Sequence, residues 1–89
     1  EKLDCMVNRL KAISHPDRIT LLELLQKKEK ATVSEIQAYL NLEQASTSNH
    51  LRLLRDQQIV ISKRVGKNKY YSIKHVVVAE IISCISRCA

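Results

Sequence analysis

Gln44-Ala45-Ser46-Thr47-Ser48-Asn49-His50-Leu51-Arg52-Leu53-Leu54-Arg55 is the stretch on which the fold turns. Its first half is polar, and Ser, Thr and Asn compete with the backbone for hydrogen bonds, so propensity alone favours a helix only weakly. Its second half places Leu51 and Leu54, joined by Leu53 and preceded by Ala45, at the spacing of an apolar helical face. The pattern predicts a helix from about Glu43 to Gln57. A helix with short polar side chains at its N-terminal end and Arg further along suits the major groove of duplex DNA. Gln44 and Asn49 match the edge of adenine. Ser46, Thr47, Ser48 and His50 are suited to bases or phosphates, and Arg52 and Arg55 to flanking phosphates. The alternative is an exposed polar face with Ser48 or His50 turned inward onto the backbone.

The flanking residues support this reading. Upstream, Thr32 or Ser34 begins a short helix whose apolar face is Val33, Ile36 and Leu40. Thr32 and Glu35 have the spacing of a capping box. Asn41 reads as a turn residue because Asn tolerates the left-handed region, and Leu42 as the residue that packs inward after it. Downstream, Ile59-Val60-Ile61 and Tyr70-Tyr71-Ser72-Ile73 read as two strands joined by the tight turn Val65-Gly66-Lys67-Asn68. Two short helices across a tight turn, then a hairpin, make a helix-turn-helix with a wing.

Charge falls on the same segment. The chain of 89 residues carries a formal net charge of +6. Bases and acids cancel from Glu1 to Asn49, seven against seven, and again after His75, one against one. The whole excess lies between His50 and His75, where Arg52, Arg55, Lys63, Arg64, Lys67, Lys69 and Lys74 face the single acid Asp56. A local basic patch of this kind points to a polyanion such as double-stranded DNA, with a solvated basic face as the alternative.

The rest of the chain completes one domain over 1–89, mainly α with a small β-hairpin, in the order ααααββα. Lys2 to Ile13 is an amphipathic helix through Leu3, Met6, Val7, Leu10 and Ile13. Ser14 is positioned to cap a second helix carrying Pro16 in its first turn and Ile19, Leu21, Leu22, Leu24 and Leu25 along it. A last helix runs from about Lys74 to Cys88 through Val77, Ile81, Cys84 and Ile85. A domain of this size buries a modest core, so pairing with a second copy is expected. No apolar run approaches the roughly 20 residues of a membrane span, and the start does not read as a signal peptide. With three cysteines at sparse spacing, a reducing cytoplasm is the expected setting. No nucleophile and base, paired carboxylates or Gly-rich phosphate loop can be assembled, so no enzyme and no cofactor are expected.

Taken together, Leu10-Lys11-Ala12-Ile13-Ser14-His15-Pro16-Asp17-Arg18 with Ile19-Thr20-Leu21-Leu22, the run Ser48 to Arg55, and Arg64-Val65-Gly66-Lys67 through Tyr70-Tyr71-Ser72-Ile73 resemble the ArsR-type (ArsR/SmtB) winged-helix repressors of bacteria. The resemblance covers nearly the whole chain in order. It implies a homodimer built from the first and last helices, an imperfect inverted repeat as operator, and repression relieved by an effector, often a metal ion. Two positions depart from the family pattern. Asn41 and Gln58 stand where Gly is usual, and Gln58 is strained if it keeps a positive φ.

The residues do not name the effector. Metal-sensing members carry a Cys-rich motif in the third helix or a His/Asp/Glu set on the last. The third helix here has no Cys, and the last offers Val77 and Cys88 where that set would be completed. Cys84 and Cys88, one turn apart, together with Cys5 on the first helix, form a conceivable thiol sensor. The alternative, that they are apolar packing residues, is favoured because Cys84 continues the stripe of Ile81 and Ile85. His15 and His75 read as residues near helix starts, with no ligand partner at a suitable spacing. Two rivals to an operator-binding repressor stand: a winged helix used only for protein interaction, and a thiol-based redox or thiophilic-metal sensor.

Overall fold

A helix leaves its first amides without intrahelical partners, and the groups that satisfy them fix where it starts. In the computed structural model, which describes residues 2–74, this happens twice before the polar stretch. The second helix is capped by His15, in extended conformation with φ −149° and ψ 130°, whose Nδ1 accepts from the Asp17 amide at 3.1 Å. Ser14, expected as the cap, instead donates its hydroxyl to Leu10 O at 2.7 Å, one turn back on the first helix. The third helix has the full capping box. The Thr32 hydroxyl accepts from the Glu35 amide at 3.2 Å, and Glu35 Oε1 accepts from the Thr32 amide at 2.9 Å. Lys28 also pairs with the Glu35 carboxylate, and chiefly through that contact the Glu35 carboxyl falls from its ordinary 4.5 to about 2.

The elements are α1 (Lys2–Ile13), α2 (Pro16–Lys28), β1 (Ala31–Thr32), α3 (Val33–Leu40), α4 (Gln44–Asp56), β2 (Val60–Val65) and β3 (Asn68–Ile73). The predicted last helix lies outside the described residues beyond Lys74, and with it Cys84 and Cys88; so does the Cys5 side chain. The expected hairpin is present, with one addition. β1 pairs antiparallel with β3 through Ala31–Tyr71 and Thr32–Tyr70, giving a three-stranded sheet in the order β1-β3-β2. Ala31 is fully buried there, so the sheet is tied to the helical core.

The core gathers Leu21, Leu22, Leu24 and Leu25 from α2, Ile36 from α3 and Leu51 and Leu54 from α4. Ile59, Val60 and Tyr71 come from the hairpin. Burying a Leu or Ile side chain contributes roughly 1.5–3 kcal/mol, so this cluster is what holds α3, α4 and the sheet together. Asn41 ends α3 in the left-handed region at φ 55° and ψ 46°, with its amide bonded to Gln37 O. Asn accepts that conformation at small cost, so the turn into α4 stays tight without Gly. Gln58 does keep a positive φ, 58°, immediately before the buried pair Ile59 and Val60.

Candidate nucleic-acid interface

The two faces of α4 follow from 3.6 residues per turn. Thr47, Leu51 and Leu54 are buried, while Ala45, Ser48, Asn49 and Arg52 lie together on the opposite, exposed side and line one open depression. Gln44 and Arg55 flank this row on one edge and Ser46 and Leu53 on the other, all exposed. The sequence had placed Ala45 among the apolar core positions; it sits instead within the polar row. Its small side chain lets a surface approach the helix closely.

Thr47 moves the other way. It was expected to face bases or phosphates, but its exposure is 0 % and its hydroxyl donates to Glu43 O at 3.0 Å. A Thr hydroxyl that bonds back one turn satisfies itself locally, which lets the residue serve as an apolar one. Ser48, the residue expected as an alternative to turn inward, stays exposed. His50 does turn inward. Its side chain is only 12 % exposed, its ring centroid lies 4.9 Å from that of His15, and its Nε2 lies 3.9 Å from Asp17 Oδ2. Burial holds its pKa below the ordinary histidine value; the nearby His15 and Arg18 add to this and Asp17 opposes it. His50 therefore anchors α4 to the start of α2 and does not offer its ring to a base.

Within the exposed row, Arg52 Nη2 donates to Asn49 Oδ1 at 2.6 Å. The pairing orients both side chains before any ligand arrives. Asn49 keeps its two N–H donors and a second lone pair on Oδ1, which suffices for the edge of one base.

The wing is built as expected. β2 and β3 are in register from Val60–Ile73 to Val65–Asn68, and Gly66 takes φ 62° in the two-residue loop. No atom lies within 4 Å of where a Cβ on Gly66 would stand, so backbone conformation and not crowding calls for glycine there. Lys63, Arg64 and Lys67 are exposed, and none has an acidic partner among the described residues. Lys69 is half-buried with Nζ 5.5 Å from the Tyr71 ring centre. Arg64 lies directly across from Lys69 in the ladder. Like charges opposed in this way destabilise a hairpin by a few tenths of a kcal/mol or more, a cost that an anion between them removes.

A helix-turn-helix formed by α3 and α4, followed by a two-stranded basic wing, defines a winged helix-turn-helix protein. The chain belongs to the arsR family of bacterial regulatory proteins, whose model matches residues 15–62. That family is one of transcriptional regulators, not of enzymes. The chain is 35% identical over 78 residues to the transcriptional repressor SdpR of Bacillus subtilis, covering 88% of this chain and 86% of that protein. It is 34% identical over 76 residues to the HTH-type transcriptional regulator YgaV of Escherichia coli, covering 85% and 77% of the two chains. The crystal structure of the transcriptional repressor PagR of Bacillus anthracis superposes with a TM-score of 0.87 at 31% identity, over 94% of this chain and 95% of that one.

Proposed function

We propose that the chain is a cytoplasmic transcriptional repressor that binds an inverted-repeat operator in double-stranded DNA as a homodimer. The observation that carries the reading is the exposed row Ser48, Asn49 and Arg52 on α4, set in one domain with a wing whose Lys63, Arg64 and Lys67 lack acidic partners among the described residues. Ser48 and Asn49 read base edges, with Gln44 and Ser46 reaching bases or phosphates at the flanks of the row. Arg52, Arg55, Lys63, Arg64, Lys67 and Lys69 neutralise phosphates, which sets register without reading sequence. The homodimer reading is supported by α1, where the apolar Val7 and Leu10 are 41% and 45% exposed. An apolar edge of that kind suits a symmetric partner helix. No helix among the described residues is long and apolar enough to cross a membrane. No observation of its own favours a winged helix used only for protein interaction. The thiol reading concerns side chains outside the described set.

Selection of duplexes from a randomised pool by the purified chain tests the proposal. An enriched inverted repeat, bound at least about a thousandfold more tightly than scrambled DNA, is the expected result. A pool that shows no enrichment, with equal affinity for every duplex, contradicts it.

A further inference from the structure

His15, Asp17 and His50 come together although 35 positions separate the two imidazoles. One nitrogen from each ring and one Asp17 carboxylate oxygen all lie within 4.8 Å of one another. His50 Nδ1 is buried with no hydrogen-bond partner among the described residues, so the ring keeps a nitrogen that the fold leaves unsatisfied. We propose that these three side chains form a binding site for a borderline divalent ion of the Zn²⁺, Co²⁺ or Ni²⁺ class, joining the start of α2 to the middle of α4.

Two imidazoles and one carboxylate match that class by donor type. Calcium and magnesium prefer all-oxygen shells, and cuprous ion prefers sulfur. Bonds of about 2.0–2.2 Å require the donor atoms to draw closer than they now stand. Asp17 has the freedom to close the gap, since its side chain is 40% exposed while His50 is held by burial. Waters would complete the shell on that open side. Arg18 opposes the site, because its positive charge acts on His50 and its buried Nε is itself unpartnered. The Asp17 carboxylate offsets that charge.

The geometry couples such an ion to two features already described. His15 Nδ1 caps α2 through the Asp17 amide, so an ion either takes Nε2 or displaces that cap. His50 follows Asn49 directly, so an ion that ties Asp17 to the buried His50 fixes the base of the exposed row of α4 to the start of α2. The effect on DNA rests on the operator-binding reading; the binding of the ion does not.

A titration of the reduced, full chain with Co²⁺, followed by visible absorption, tests the site. The expected result is one ion per chain with ligand-field bands and no thiolate charge-transfer absorption. His15→Asn keeps a good helix cap, and Asp17→Asn alters a part-exposed side chain, so both should fold with melting temperatures near that of the parent. Both should weaken Co²⁺ by more than about tenfold, the scale of losing even an outer partner of a metal. His50→Gln should remove the bands, and its metal-free melt reports whether it folds. Absence of bands in the parent chain, bands with sulfur character, or bands unchanged in Asp17→Asn and His15→Asn would overturn the site. If the spectrum behaves as expected, Co²⁺ should change the affinity of the parent for the selected duplex and leave that of Asp17→Asn unchanged. An equal response in both overturns the coupling to DNA while leaving the site standing.

Discussion

The exposed face of α4 and the wing are both polar surfaces on one small core, yet they are built on opposite principles. The α4 row is mostly uncharged and internally paired, with its one cation, Arg52, already bonded to Asn49. The wing is cationic and set against itself, with Arg64 across from Lys69. Side chains that discriminate hydrogen-bond patterns gain from being oriented in advance. Side chains that neutralise phosphates gain from being uncompensated. On the proposed function, the difference separates reading from positioning within about thirty residues of chain.

The largest way to break the comparison is to remove the framework both surfaces share. Leu51→Ala empties a fully buried site beneath the row, and an unfolding loss of about 2–5 kcal/mol is expected in a denaturant titration, with both surfaces failing together. Asn49→Ala acts on one surface only. It should cost about 1–3 kcal/mol toward the selected duplex, with the melting temperature close to that of the parent. Thr47→Val sharpens the boundary of the row from the inside. It should lower stability by about 1 kcal/mol, the worth of the bond to Glu43 O, and leave the ranking of duplexes unchanged.

Acid should act on a third place, the capping box at the start of α3. The folded Glu35 carboxyl lies near 2 against an ordinary 4.5, so its contribution is present above about pH 4.5 and is lost as the pH falls from there toward 2. Glu35→Gln should flatten that part of the profile of melting temperature against pH; an unchanged profile would show that the capping box and Lys28 do not hold the charge. The smallest effect belongs to the wing. Arg64→Ala should raise stability slightly, by a few tenths of a kcal/mol read as a small rise in melting temperature, because it relieves the charge opposed to Lys69.

Much of this fold was legible because it is local. The Thr32 and Glu35 box, the left-handed Asn41, the Gly66 turn and the leucines of α2 each follow from neighbouring residues. Reading failed where tertiary contacts decided. Ala45 and Thr47 exchanged roles because alanine carries little preference for either face, and a threonine bonded back to Glu43 behaves as an apolar residue. β1 is two residues long, too short to show alternation, and exists only because β3 is there to pair with it. Ser14 gave up the cap to its neighbour because α2 starts at Pro16, which makes His15 the cap position, while the Ser14 hydroxyl turns back to Leu10 O. The meeting of His15 with His50 has no signature in spacing at all, since it follows from how α2 and α4 lie in the folded domain.

The division between reading and positioning is tested most directly by the salt dependence of binding for Asn49→Ala and Arg64→Ala, each on the selected duplex and on a scrambled one. Asn49→Ala should narrow the gap between the duplexes and keep the parental slope of log K against log salt. Arg64→Ala should weaken both duplexes about equally and reduce the slope by about 0.9, the loss of one phosphate contact. If Arg64→Ala instead collapsed the gap between the duplexes, or Asn49→Ala reduced the slope and left the gap intact, α4 and the wing would not divide the work as described.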